Sequence, residues 1–159
     1  MTLKVSWGQG TTFTIKLPID RNAAEPVNPP ADVALARSLR VLVVDDEALL
    51  RDLLESYLTT DGHIVQTAEN AQAALARLSS GRYDVVITDK AMPEMNGEQL
   101  AEMISKRVPG VSVILMTGFG DIMKANGERP PHISAILSKP VTQATLRQAL
   151  AQVFPPVTV

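Results

Sequence analysis

From Val41 onward, short unbroken apolar runs take turns with stretches in which apolar residues recur every three or four positions. Val41-Leu42-Val43-Val44 has the continuous apolar character of a strand buried on both faces of a parallel sheet. Leu49, Leu50, Leu53, Leu54, Tyr57 and Leu58 then follow at helical spacing, predicting an amphipathic helix that Asp61-Gly62 closes. The same alternation continues to the end of the chain. It predicts strands over His63 to Ala68, Tyr83 to Thr88, Val111 to Met116 and Ala135 to Leu137. Between them it predicts a helix capped by Asn70 that buries Ala74, Leu75 and Leu78, and another from Gly97 to Val108. A last helix, capped by Thr142, buries Leu146, Leu150 and Val153. Five strands and about five helices in strict alternation give an α/β fold. We expect a flavodoxin-like, doubly wound parallel sheet of strand order 2-1-3-4-5, with helices on both faces.

Upstream the pattern changes. Residues 19–38 carry Pro26, Pro29 and Pro30 among several alanines without a sustained apolar period, and read as a linker. Before it, Phe13-Thr14-Ile15-Lys16-Leu17 alternates apolar and polar residues like a half-buried strand, bounded by Gly8, Gly10 and Pro18. One short strand makes no core of its own.

Composition narrows the classes of function. The net charge of −2, with Lys and Arg scattered, gives no electrostatic basis for nucleic-acid binding. The absence of Cys excludes disulfides, thiolate metal sites and cysteine catalysis. No apolar run is long enough to cross a bilayer and the N-terminus lacks the order of a secretory signal, so a cytoplasmic location without direct membrane contact is expected.

The polar residues at the strand ends point to one chemistry. Asp45 and Asp46 follow the first strand of the alternating series, Asp89 the third, Thr117 the fourth and Lys139 the fifth. In the order 2-1-3-4-5 the three carboxylates converge where strand order reverses, and the sequence shows no cation placed between them. Like charges that close are costly unless a metal neutralises them, and hard oxygens suit Mg²⁺. Each of these residues alone is more simply a turn residue, a cap or a solvated charge; the claim rests on all five standing at ordered strand ends. His63 and His132 lack partners at ligand spacing and read as solitary surface histidines, and Met92, Pro93 and Gly97 read as loop geometry.

Four blocks carry a resemblance. Val43-Val44-Asp45-Asp46-Glu47, Val86 through Gly97, Met116 through Asp121, and Leu137-Ser138-Lys139-Pro140 resemble, in order and separation, the motifs of response-regulator receiver domains. The resemblance implies a domain over residues 39–159 in which Asp89 accepts phosphoryl from a phosphohistidine. It also implies that Asp46 ligates Mg²⁺, that Asp45 holds a metal-bound water, and that the Ala91 main-chain carbonyl and Asp89 complete the protein ligands. Thr117 and Lys139 would bind phosphoryl oxygens. The implied partners are a histidine kinase or a histidine-containing phosphotransfer protein. The implied role is a signalling domain whose own reactions are self-phosphorylation and self-dephosphorylation. A phosphate sink and a non-phosphorylated receiver-like binding module are the competing readings. A dehalogenase-like phosphohydrolase would need a second Asp two residues after the nucleophile, where Ala91 stands.

Residues 1–18, with Gly8-Gln9-Gly10 before the strand, are similar to the last glycine box and closing strand of histidine-kinase ATP-binding domains. With the linker and receiver in that order, the chain resembles the C-terminal piece of a hybrid sensor kinase. Two departures stand out. Ile136 occupies the position three residues before Lys139 that is usually aromatic, and Gly120, Asn126, Gly127, Pro130 and Pro131 predict a short or displaced fourth helix.

Overall fold

A computed structural model describes residues 2–5, 11–14, 37–118, 127 and 130–155. Near the N-terminus, β1 (Thr2–Val5) and β2 (Thr11–Thr14) pair antiparallel with Thr2 opposite Thr14 and Val5 opposite Thr11. Of the strand expected over Phe13–Leu17, Phe13 and Thr14 fall in β2, and Thr2–Val5 supplies the backbone partner that a lone strand lacks. Residues 15–17, the Gly8–Gly10 turn and linker residues 19–36 lie outside the described residues.

The main sheet holds β3 (Arg40–Val44), β4 (Ile64–Ala68), β5 (Val85–Asp89), β6 (Ser112–Thr117) and β7 (Ala135–Ser138). All neighbours are parallel and the order is β4-β3-β5-β6-β7, the expected 2-1-3-4-5 of a flavodoxin-like sheet. Helices α1 (Ala48–Thr60), α2 (Ala71–Ser80), α3 (Gly97–Arg107) and α4 (Gln143–Val153) cover its two faces.

Because strand side chains alternate, each central strand feeds two cores. Val41, Val43, Ile87, Ile114, Met116 and Leu137 pack with Leu54 and Leu58 of α1 and Leu146 and Leu150 of α4. Leu42, Val44, Val86, Leu115 and Ile136 pack on the other face with Ala74 and Leu78 of α2 and Leu100 and Ile104 of α3. Helix starts are fixed locally. The Asn70 side chain accepts from Ala73 N at 2.7 Å, and Asn96 with Gln99 and Thr142 with Thr145 form reciprocal capping boxes.

Three expectations need correction. Leu49 and Leu53 are 78% and 40% exposed. Successive helical residues stand about 100° apart, so six apolar positions span a wider arc than the sheet and α4 can cover. His63 precedes its strand and is no surface residue; it is buried, and its Nδ1 accepts a hydrogen bond from Leu39 N at 3.2 Å. Tyr83 also lies ahead of its strand, where Asp84 Oδ2 accepts from Arg40 N at 2.8 Å. The expected fourth helix falls on residues 119–126 and 128–129, outside the described residues.

Candidate phosphoacceptor site

The carboxyl ends of β3, β5, β6 and β7 form one edge of the sheet, and the ladder runs one step past the strands there. Asp45 N donates to Ala68 O at 3.2 Å, Lys90 N to Met116 O at 2.9 Å and Lys139 N to Thr117 O at 3.0 Å. The backbones bearing the polar residues are thus set by the sheet rather than by free loops. Asp45, Asp89 and Thr117 are 1%, 6% and 4% exposed, whereas Asp46 and Ala91 are open to solvent.

Lys139 Nζ stands 2.7 Å from Asp89 Oδ1 and 3.4 Å from Asp45 Oδ2. The sequence reading placed no cation between the carboxylates, and this arrangement corrects it. Lys139 is remote in sequence, and only assembly of the sheet sets its long side chain beside the ends of β3 and β5. The other oxygens are engaged too: Asp89 Oδ2 accepts from Ala91 N at 3.0 Å, and Asp45 Oδ1 from Glu47 N at 2.8 Å. Among the described residues, no three Asp, Glu, His or Cys groups stand together at metal-ligand spacing.

Burial raises the Asp45 carboxyl above its ordinary range, helped by the charge of Asp89 and opposed by the Glu47 amide and Lys139. At Lys139, burial favours the neutral amine. The hydrogen bond to Asp89 and the charge of Asp45 outweigh it, so the ammonium form is favoured overall.

The loop after β5 is closely determined. Gly97 N donates to Lys90 O at 3.1 Å, and a Cβ on Gly97 would lie 2.3 Å from Asp89 O, closer than atoms can approach. Glycine is therefore required for α3 to start directly beneath Asp89. The Lys90–Glu98 ion pair at 3.0 Å closes the same loop.

Sequence reasoning missed one residue beside the site. From one turn inside α1, Arg51 Nη1 donates to the main-chain oxygen of Asp45 at 2.7 Å. The available signal was an Arg on the first turn of the helix that follows the acidic pair, a position where a long side chain can fold back over the loop.

A carboxylate held by an ammonium at a strand end, with a second buried carboxylate and a hydroxyl on adjoining strands, is equipped to receive an anionic electrophile. Comparison with known proteins identifies the group to which this edge belongs. The response regulator receiver domain family matches residues 41–151. The chain belongs to that family. Such domains are the phosphoacceptors of two-component signalling.

Transcriptional regulatory protein GlrR of Escherichia coli (strain K12) is 39% identical over 110 residues, covering 69% of this chain and 25% of its own. Sensor histidine kinase AruS of Pseudomonas aeruginosa is 31% identical over 150 residues, covering 92% of this chain and 15% of its own. The chain thus spans only a small part of either relative. Among solved structures, response regulator protein TrrA from Thermotoga maritima, in complex with Mg²⁺-BeF, shares 31% identity at a TM-score of 0.64. That likeness covers 72% of this chain and 98% of TrrA. Among the described residues no helix is long and apolar enough to cross a membrane.

Proposed function

We propose that Asp89 is the phosphoacceptor of this domain. A carboxylate oxygen of Asp89 attacks phosphorus, the phosphorus–nitrogen bond of a phosphohistidine breaks, and the imidazole nitrogen leaves and is protonated. An acyl phosphate remains on Asp89. The observation that carries the reading is the 2.7 Å contact of Lys139 Nζ with Asp89 Oδ1, a positive charge against the proposed acceptor where it would meet arriving phosphoryl oxygens. The Thr117 hydroxyl on the adjoining strand end is assigned to a second phosphoryl oxygen.

The donor chemistry suits Mg²⁺, although among the described residues the three carboxylates do not stand together at ligand spacing. The donors are hard oxygens: Asp45 and Asp89, bridged by Lys139 Nζ, with the exposed Asp46 and Ala91 beside them, and an ion that keeps several waters needs no all-protein cage. Asp46 would hold it directly, and Asp45 would hold one of its waters. When bound, it supplies charge neutralisation for the transferring group.

The wider context is part of the same proposal. Residues 1–18 are the end of a histidine-kinase ATP-binding domain, 19–38 a linker and 39–159 the receiver, a piece of a hybrid sensor kinase that lies in the cytoplasm. Support comes from the AruS likeness: it covers 92% of the chain, so it runs beyond the family match at 41–151. The donor is then a histidine kinase or a histidine-containing phosphotransfer protein.

The test is intact-protein mass spectrometry after incubation with phosphoramidate, a small phosphorus–nitrogen donor. One phosphoryl adduct that requires Mg²⁺ and is lost in Asp89→Ala supports the assignment. Equal labelling of folded wild type and variant removes it.

A further inference from the structure

We infer that Arg51 is a positioning residue for the divalent cation, acting through Asp46. The inference rests on the proposed Mg²⁺ site. Asp45, Asp46 and Glu47 link β3 to α1, and three bonds hold their peptide units. Asp45 N donates to Ala68 O, Glu47 N donates to Asp45 Oδ1, and between them the Asp45 carbonyl accepts from Arg51 Nη1 at 2.7 Å.

That carbonyl belongs to the planar unit that also contains the nitrogen and Cα of Asp46. Holding its oxygen orients the peptide unit before the Asp46 Cα, as the Glu47 N bond to Asp45 Oδ1 orients the unit after it, and the two together set the direction from which the Asp46 side chain departs. No described residue makes a hydrogen bond or ion pair to the exposed Asp46 carboxylate, so its placement depends on its backbone alone. At the start of α1 Glu47 gives no side-chain cap, so the Arg51 side chain is the one that reaches back to the Asp45 carbonyl among the described residues.

Charge and positioning predict opposite outcomes. A guanidinium near a cation site disfavours the cation, so if charge alone mattered its removal would tighten Mg²⁺ binding. If Arg51 positions Asp46, removal weakens binding even though a positive charge has gone. Partners that orient metal ligands commonly matter tenfold or more.

The experiment is an NMR titration of backbone amides of the full 159-residue chain with MgCl₂. Wild type is compared with Arg51→Met, Arg51→Lys, Asp46→Asn and the Arg51→Met/Asp46→Asn double variant, with folding verified by thermal unfolding. We expect Arg51→Met to raise the Mg²⁺ Kd roughly tenfold and Arg51→Lys to recover part of the loss. In the Asp46→Asn background the arginine substitution should change Kd by less than about twofold. If Arg51→Met fails to fold, Arg51→Gln against Arg51→Lys makes the same comparison.

A folded Arg51→Met protein that binds Mg²⁺ as well as wild type, or better, overturns the inference and leaves the proposed site standing. An undiminished effect in the Asp46→Asn background also overturns it. Absence of Mg²⁺ binding by wild type overturns the site and the inference together.

Discussion

The Lys139 ammonium reaches Asp89 Oδ1 at 2.7 Å, joining the end of β7 to the end of β5 across the intervening β6. The same nitrogen is 3.4 Å from Asp45 Oδ2, so one cation serves two buried carboxylates. Replacing it leaves both without their neutralising partner. Lys139→Met is expected to lower stability by about 1–3 kcal/mol in the absence of divalent cation. Added MgCl₂ should then stabilise the variant more than wild type, because the ion takes over the missing charge. Urea unfolding with and without MgCl₂ measures both effects; an equal response in the two proteins contradicts the account.

Gly97 permits α3 to begin against the backbone of Asp89. The 2.3 Å approach from a Cβ to Asp89 O involves main chain on both sides, so no rotamer change relieves it. Gly97→Ala is predicted to cost about 1–3 kcal/mol by denaturant unfolding and to slow phosphorylation by displacing Asp89. A neutral effect on both would show that the loop yields easily.

Much of the fold was legible because the central strands are buried on both faces. Val41–Val44 could be found as an unbroken apolar run and the third strand over Tyr83 to Thr88, and their order followed from alternation with helices. Boundaries shifted where tertiary partners decided them, as at Tyr83 and Asp84. The set of strand-end residues, Lys139 included, could be read, but its ion pairs with Asp45 and Asp89 could not, since they form only when the strands assemble side by side. The exposure of Leu49 and Leu53, the Leu39–His63 bond and the role of Arg51 were hidden likewise. Helical spacing says which residues share a side, and it does not say how much of that side a neighbour covers.

His63 gives stability a pH dependence in the mildly acidic range. Burial lowers its pKa below the ordinary value, with Asp61 opposing, and Nδ1 as acceptor from Leu39 N requires the neutral ring. Between the folded and unfolded pKa values the unfolded chain binds more protons, so stability falls as pH drops from about 6.5 toward the folded value. His63→Gln retains an acceptor without the titration and should flatten that part of a thermal unfolding profile. An unchanged slope assigns the dependence to another group.

A second pH effect arises at the far end of α1. Asp61 accepts from Arg147 Nη2 at 2.6 Å and Nε at 2.8 Å, and from Gln143 Nε2 at 2.9 Å. These bonds, that of Arg147 foremost, hold its carboxyl below the ordinary carboxylate range. Their contribution is present above the unfolded pKa and is lost as pH falls through the folded one. Arg147→Met is expected to cost about 1 kcal/mol near neutrality, limited by the partial exposure of the arginine, and to cost little once Asp61 is protonated. Urea unfolding of the two proteins across an acid pH series shows whether their difference closes.

The most direct test of the central claim is to locate the phosphoryl group. After phosphorylation with phosphoramidate and MgCl₂, borohydride reduces an aspartyl phosphate to homoserine, and peptide mass spectrometry identifies the converted position. The account predicts conversion at Asp89 alone, absent without Mg²⁺. Conversion at Asp45, Asp46 or any other carboxylate in its place, or none in folded protein, would contradict it.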